Sequence, residues 1–226
     1  MWWILLGLIL IISLFTFAIV SIRSGIFIKS ITQSPFNTGI LTFDDGPHPV
    51  YTPLILDLLD QYHIKAIFFC IGKNADAHPE IVRRIAESGH LIGNHTFYHS
   101  IRSTFYGWKK YLSEITATTA LLEKITGKKV LYYRPPFGIT NPSIAKAIRK
   151  SGLVTMAWNI RTFDTLAKVP QRPIRKIEKY WNPHSIILLH DRLNVTVDIL
   201  QYLLENGLIK QSPIFESQGS GISEDK

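Results

Sequence analysis

Two carboxylates stand side by side in Thr42-Phe43-Asp44-Asp45-Gly46-Pro47-His48, and two histidines stand four apart in His95-Thr96-Phe97-Tyr98-His99. Neighbouring side chains on a strand point to opposite faces, so Asp44 and Asp45 share a site only if the backbone turns. Gly46-Pro47 supplies that turn. Taken alone, Asp-Asp-Gly-Pro is also what an ordinary exposed turn looks like. The spacing of His95 and His99 predicts two imidazoles on one face of a helical turn, which suits a divalent metal. With Asp45 they make a set of two imidazoles and one carboxylate, leaving positions open for water and substrate as a catalytic metal requires. A metal so held lowers the pKa of its water and polarises a carbonyl, the two needs of amide hydrolysis.

The elements that must position these groups follow an alternating pattern. Short β-rich runs (GILTFDD, KAIFFCIG, HLIGNHT, VLYYRPPFG, VTMAWNIRTF, SIILLHD) alternate with longer amphipathic ones (TPLILDLLDQY, PEIVRRIAESG, WKKYLSEITATTALLEKITG, NPSIAKAIRKSG, PIRKIEKYW, VTVDILQYLLENG). Six βα units predict an α/β fold with a parallel sheet, either a barrel or an open doubly wound sheet. Asp44, Asp45, His95, His99, Arg134, Asp164 and His190 all fall at the carboxyl ends of strand runs. A closed barrel brings such ends onto one face, so the barrel is the expected form. Cys70, the one cysteine, sits in the apolar run Ala66–Ile71 and reads as a small buried hydrophobe.

Five stretches then stand in a telling order: TFDDGPH, HTFYH, RPPFG, an Asp after the fifth strand run, and LLH. Over about residues 37 to 210 they resemble the motifs of the NodB-type polysaccharide deacetylases, carbohydrate esterase family four. The resemblance implies a distorted (β/α) barrel and one divalent metal, usually zinc, with cobalt or nickel as alternatives. It implies Asp44 as general base, Asp45, His95 and His99 as metal ligands, and His190 as the acid that protonates the leaving amine. By the same resemblance Arg134 holds Asp44, Asp164 orients His190, and Phe137 and Leu188 border the substrate, Phe137 through its backbone amide. The implied activity is removal of N-acetyl groups from an N-acetylglucosamine polymer such as peptidoglycan, chitooligosaccharide or exopolysaccharide. The fourth motif departs: the family pattern Asp-x-x-Asp-Trp falls on Arg161-Thr162-Phe163-Asp164-Thr165, so an Asp and a Trp of the sugar wall are replaced. Phe137 stands where Tyr is frequent. Trp158 is expected in the core rather than as a substitute wall.

Residues 1–22 carry no charged side chain and as a helix reach roughly 33 Å, enough to cross a bilayer. The apolar stretch is too long for the core of a cleaved signal peptide and lacks a basic leader, so a retained anchor is expected. The expected layout is an anchor over 1–22, a connector over 23–36, the catalytic domain over 37–212 and a polar tail over 213–226. Arg23 and Lys29 follow the span and nothing basic precedes it, which alone would put the domain in the cytoplasm. Acetylated polymeric glycans lie outside it, and the chemistry points to an extracytoplasmic domain. The net charge of +8 among 226 residues suits an acidic partner without choosing one. No nucleic-acid motif accompanies the scattered basic residues. The expected partners are an acetylated glycan and the membrane; oligomeric state is not indicated. Two rivals stay open: an O-acetyl esterase or non-sugar amidase on the same scaffold, and a tethered glycan-binding module without turnover.

Overall fold

The computed structural model describes residues 2–34 and 38–209. The expected domain limits at 37 and 212 and the tail 213–226 lie outside the described residues. After α1 (Trp2–Val20), strands and helices alternate as β1 (Ile40–Asp44), α2 (Tyr51–Gln61), β2 (Ala66–Cys70), α3 (Gly72–Ala77), α4 (Pro79–Glu87) and β3 (Leu91–Asn94). There follow α5 (Trp108–Thr126), β4 (Tyr132–Tyr133), α6 (Pro142–Ser151), β5 (Val154–Thr155), β6 (Ile160–Arg161), α7 (Gln171–Tyr180), β7 (Ile186–His190) and α8 (Asn194–Glu205). The sheet is parallel throughout, in the order β5-β4-β3-β2-β1-β7-β6.

Every residue of β1 and β2 is buried, as expected of strands covered on both faces. The two-residue period of the side chains sorts them into two cores. Leu41, Phe43, Phe68, Ile187 and Leu189 pack outward beneath the helices, against Ile55, Leu59, Ile177 and Leu203 among others. Ile40, Ile67, Phe69, Ile186 and Leu188 fill the interior with Met156 and Trp158. The interior-facing residues of β1 thus run Ile40, Thr42, Asp44, from an apolar floor to a polar rim.

The fifth strand run does not form one strand. It divides into β5 and β6, which sit at opposite edges of the sheet and are joined by Met156–Asn159 alone. Five residue steps reach at most about 18 Å, so the two edges must curl toward each other. The barrel is therefore a seven-stranded half-barrel whose edges are linked by a covalent seam rather than by a ladder. The Met156 N–H donates to Tyr133 O at 2.9 Å and the Asn159 N–H to Ile186 O at 3.1 Å, fastening the seam to β4 and β7.

The described part of the stretch expected as a connector fills this seam. Ile31 forms a parallel bridge with Met156, and the Ser34 N–H donates to His184 O at 2.9 Å. α1 itself is 19 residues of apolar helix, roughly 28 Å long, exposed along its length except at buried Ala18 and half-buried Ile19. It has the length and composition of a membrane span.

Candidate active site

β1 delivers two carboxylates by changing backbone conformation between them. Asp44 ends the strand, and Asp45 takes a left-handed φ of 76°, which swings its carboxylate to the same side. Gly46 follows where a Cβ would collide with the Asp191 carboxylate, so only glycine fits there. The loop after β3 brings in His95 and His99, but not as a helical turn. Thr96 and His99 have φ of 63° and 49°, and the segment is irregular, so the expected i, i+4 helical face is replaced by a loop that folds back on itself. Six described non-glycine residues are left-handed; three of them (Asp45, His99, Phe137) line this cleft, and two more (Thr96, Phe163) stand next to His95 and Asp164 in the chain. Such concentration is typical of sites where surrounding contacts dictate the backbone.

One donor atom each from Asp45, His95 and His99 lies within 4.8 Å of the other two. Asp45 Oδ1 is 3.5 Å from His95 Nε2 and 3.3 Å from His99 Nε2. His95 Nδ1 lies 2.7 Å from the Arg134 carbonyl, the contact that keeps a proton on Nδ1 and leaves Nε2 free to ligate. Burial by itself would raise the Asp45 pKa. The hydrogen bond to His95 and the neighbouring histidines outweigh it and hold the carboxyl well below the usual range. Burial, reinforced by His95, pushes His99 down to about 4, so its imidazole is neutral and available as a ligand. Donor types and spacing fit a divalent ion held by two imidazoles and a carboxylate.

Asp44 stands beside this set, its Oδ2 3.8 Å from His95 Nε2. Its Oδ1 accepts from Arg134 Nη1 at 2.7 Å. Arg134, fully buried, also donates to Thr42 Oγ1 at 2.8 Å and to the carbonyls of Met156 (3.1 Å) and Ala157 (2.9 Å), with Phe69 stacked 4.1 Å below its guanidinium. The one side chain that fixes Asp44 thus also clasps the seam.

Across the cleft, His190 ends β7 and Asp164 follows β6. His190 Nδ1 meets Asp164 Oδ1 at 2.8 Å, and the His190 amide donates to Oδ2 at 2.7 Å. Thr162 Oγ1 (3.1 Å), Thr196 Oγ1 (2.9 Å) and the Thr165 N–H (3.0 Å) complete the shell of Asp164. Burial would lower His190, but Asp164, with Asp44 and Asp45 further off, raises its pKa above the ordinary histidine value. Burial likewise opposes the Asp164 shift, and His190 and Thr196 bring that carboxyl below its ordinary value. An imidazolium so favoured is suited to give up a proton to a leaving group.

Asp44, Asp45, His95, His99 and His190 line one cleft of about 200 Å³ together with Phe137, Leu188, Trp158, Arg161, Thr165 and Arg192, while Arg134 and Asp164 are fully buried behind it. Phe137 has φ 60°, its ring lies 4.6 Å from that of His99, and its amide N–H has no hydrogen-bond partner among the described residues. Trp158 is core-packed as expected, 8% exposed, yet its edge also forms cleft wall. His48 stands away from the donor set: its Nδ1 accepts the amides of Val50 (3.2 Å) and Tyr51 (3.3 Å) and starts α2. Three contributors went unnoticed in the sequence. Arg192 Nε donates to Asp45 Oδ2 at 2.8 Å, Thr196 reaches Asp164 from α8, and buried Asp191 accepts from Thr52 Oγ1 at 2.7 Å. Arg192 and Asp191 adjoin the LLH motif, the only signal that could have pointed to them.

A parallel half-barrel with a polar cleft at its strand ends defines the class of α/β proteins whose chemistry sits at the carboxyl edge of the sheet. Within that class the chain belongs to the polysaccharide deacetylase family, whose model matches residues 33–156. It is 34% identical over 178 residues to a peptidoglycan-N-acetylglucosamine deacetylase of Bacillus cereus, covering 76% of this chain and 64% of that one. A chitooligosaccharide deacetylase of Azorhizobium caulinodans is 37% identical over 152 residues, 67% of this chain and 72% of the relative. The chain therefore spans somewhat under two thirds of the Bacillus cereus protein's length. Among solved structures, a peptidoglycan N-acetylglucosamine deacetylase in complex with 4-naphthalen-1-yl-N-oxidanyl-benzamide superposes with a TM-score of 0.73 at 31% identity, covering 80% of this chain and 88% of that one.

Proposed function

We propose that the chain is a metal-dependent hydrolase that removes N-acetyl groups from an N-acetylglucosamine-containing polysaccharide and releases acetate. The observation that carries this reading is the meeting, in one cleft, of the Asp45–His95–His99 donor set, the Arg134-held Asp44 and the His190–Asp164 pair. Relatives named for peptidoglycan and chitooligosaccharide deacetylation support the substrate class.

Asp45, His95 and His99 would hold the ion, with zinc the expected metal. When bound it would supply an activated water and polarise the acetamide carbonyl. Asp44, aligned by Arg134, takes the proton from the attacking water. The Phe137 amide, unpartnered and left-handed, offers a hydrogen bond to the oxyanion. His190, whose hold on a proton Asp164 strengthens, hands its proton to the departing amine. Leu188 and the edge of Trp158 wall the sugar where Thr165 stands in place of the family's Trp. Arg161 has no carboxylate partner among the described residues; its guanidinium lies 4.9 Å over the Phe163 ring and lines the cleft. That free cation supports a polymer carrying acidic substituents near the acetamide.

The anchor would hold a domain over 37–212 outside the cytoplasm, where such polymers lie. The test is acetate release by the zinc-loaded full chain in detergent, comparing N-acetylglucosamine oligomers with acetyl-xylan. Release from the oligomers alone is expected. Release from xylan alone would favour the esterase reading, and glycan affinity with no acetate from either would favour a binding module.

A further inference from the structure

α1 does not lead to the cleft through a loose tether. The Thr140 N–H donates to Ile19 O at 2.8 Å, and its hydroxyl to Ala18 O at 3.2 Å, so the last turn of α1 is bonded to the loop that carries Phe137. Ile22 is buried in the barrel-interior cluster with Trp158 and Leu188. Thr140 is three residues beyond Phe137, and Phe137 touches His99. At no more than ~3.6 Å per residue, the metal donor set stands within roughly 25 Å of the end of the span.

The same corner exposes apolar and basic side chains together. Phe105 is 87% exposed and Ile101 53%, both on the loop between β3 and α5 that also carries His99. That loop adjoins the end of α1, because Thr104 O accepts from Asn141 Nδ2 at 2.8 Å, one residue after Thr140. Ile26 is 57% exposed beside Phe27, whose ring turns back to meet Phe15 on α1 at 6.1 Å. Arg23, Arg102 and Lys109, on the same stretches of chain, are exposed with no carboxylate partner among the described residues. Exposed aromatic and aliphatic tips with cations on the same segments, continuous with a membrane-length helix, match what an interfacial contact requires.

We propose that this corner docks on an anionic bilayer surface, so that the cleft works on glycan chains lying at the membrane. The proposal rests on the deacetylase reading for its substrate and on α1 as a span for its geometry; docking itself is read without turnover. Cys70 is buried, so in the full-length Phe105→Cys variant position 105 is the accessible thiol for an environment-sensitive fluorophore. In vesicles of phosphatidylcholine with one part in three phosphatidylglycerol, quenching by brominated lipid is expected, falling severalfold when Arg102→Glu and Lys109→Glu are added. Quenching by aqueous iodide alone, with no response to brominated lipid, overturns the proposal.

Activity gives the second readout. Phe105→Asp with Ile101→Asp is expected to slow acetate release about tenfold on an N-acetylglucosamine oligomer attached to the vesicle by a short lipid link, with the free oligomer unaffected. Equal slowing of both substrates, or of neither, overturns the proposal. Lipid quenching without acetate from any oligomer would sink the deacetylase reading and leave the docking surface standing.

Discussion

The two sides of the cleft are built on opposite terms. On the β1–β3–β4 side, Asp45 Oδ1 stands 3.5 Å from His95 Nε2 and 3.3 Å from His99 Nε2, a spacing at which all three donors can share an ion. On the β6–β7 side, Asp164 accepts from His190 twice and from Thr162, Thr165 and Thr196. The first side offers three donors suited to a cation; the second satisfies its carboxylate from within the chain. The difference predicts that metal loading and acid placement are separable, so that each side can be broken without dismantling the other.

The strongest way to break the first side is Asp44→Asn, nearly isosteric and still able to face Arg134. Acetate release is expected to fall about a thousandfold, while metal content by atomic absorption stays near one ion per chain. Near-normal turnover in that variant would show that another group takes the proton. Chelation should remove activity altogether and restoring zinc should return it, leaving the His190 proton resonance largely where it was.

The second side is broken by Asp164→Asn, with an expected loss of about a hundredfold and a change in pH profile. Because Asp164 raises His190, activity in the native chain persists above the ordinary histidine value of 6.5, and the variant's alkaline limb moves down. Stability follows the same linkage. The raised His190 contributes fully below pH 6.5 and fades as pH climbs through its folded value. The lowered Asp164 contributes fully above pH 3.8 and fades as pH drops through its folded value. Native and variant melting curves should therefore differ most between those limits, and a constant difference from pH 3 to 9 would contradict the pairing.

Two smaller changes sharpen the contrast. Arg192→Ala removes the outer donor to Asp45 and is expected to weaken metal affinity about tenfold in a competition assay, with the acid limb unmoved. Thr196→Val deletes one of the donors to Asp164 and should cost about 1 kcal/mol in denaturant unfolding, with metal affinity unchanged.

Much of this arrangement was legible because strand runs and their terminal polar residues are contiguous in sequence. Asp44, Asp45, Arg134, Asp164 and His190 could be placed at strand ends from local pattern alone. The helical reading of His95 and His99 failed because spacing does not reveal left-handed residues at Thr96 and His99, which tertiary contacts impose. The division of VTMAWNIRTF into two edge strands was invisible for a similar reason: the run is uniformly strand-like, and only its different partners separate it. Arg192 and Thr196 look like ordinary surface and helix residues until the fold carries them to the carboxylates. Ile31 gave no sign in sequence that it closes the seam, since pairing across more than a hundred residues leaves no local period.

The Arg134 guanidinium grips the Asp44 carboxylate with one nitrogen and two seam carbonyls with the others. Architecture and chemistry are therefore riveted at a single point. Anyone grafting a different wall onto residues 156–159 to change which sugars are accepted inherits a backbone constraint on top of the core packing of Met156 and Trp158: the two carbonyl oxygens must stay where they are.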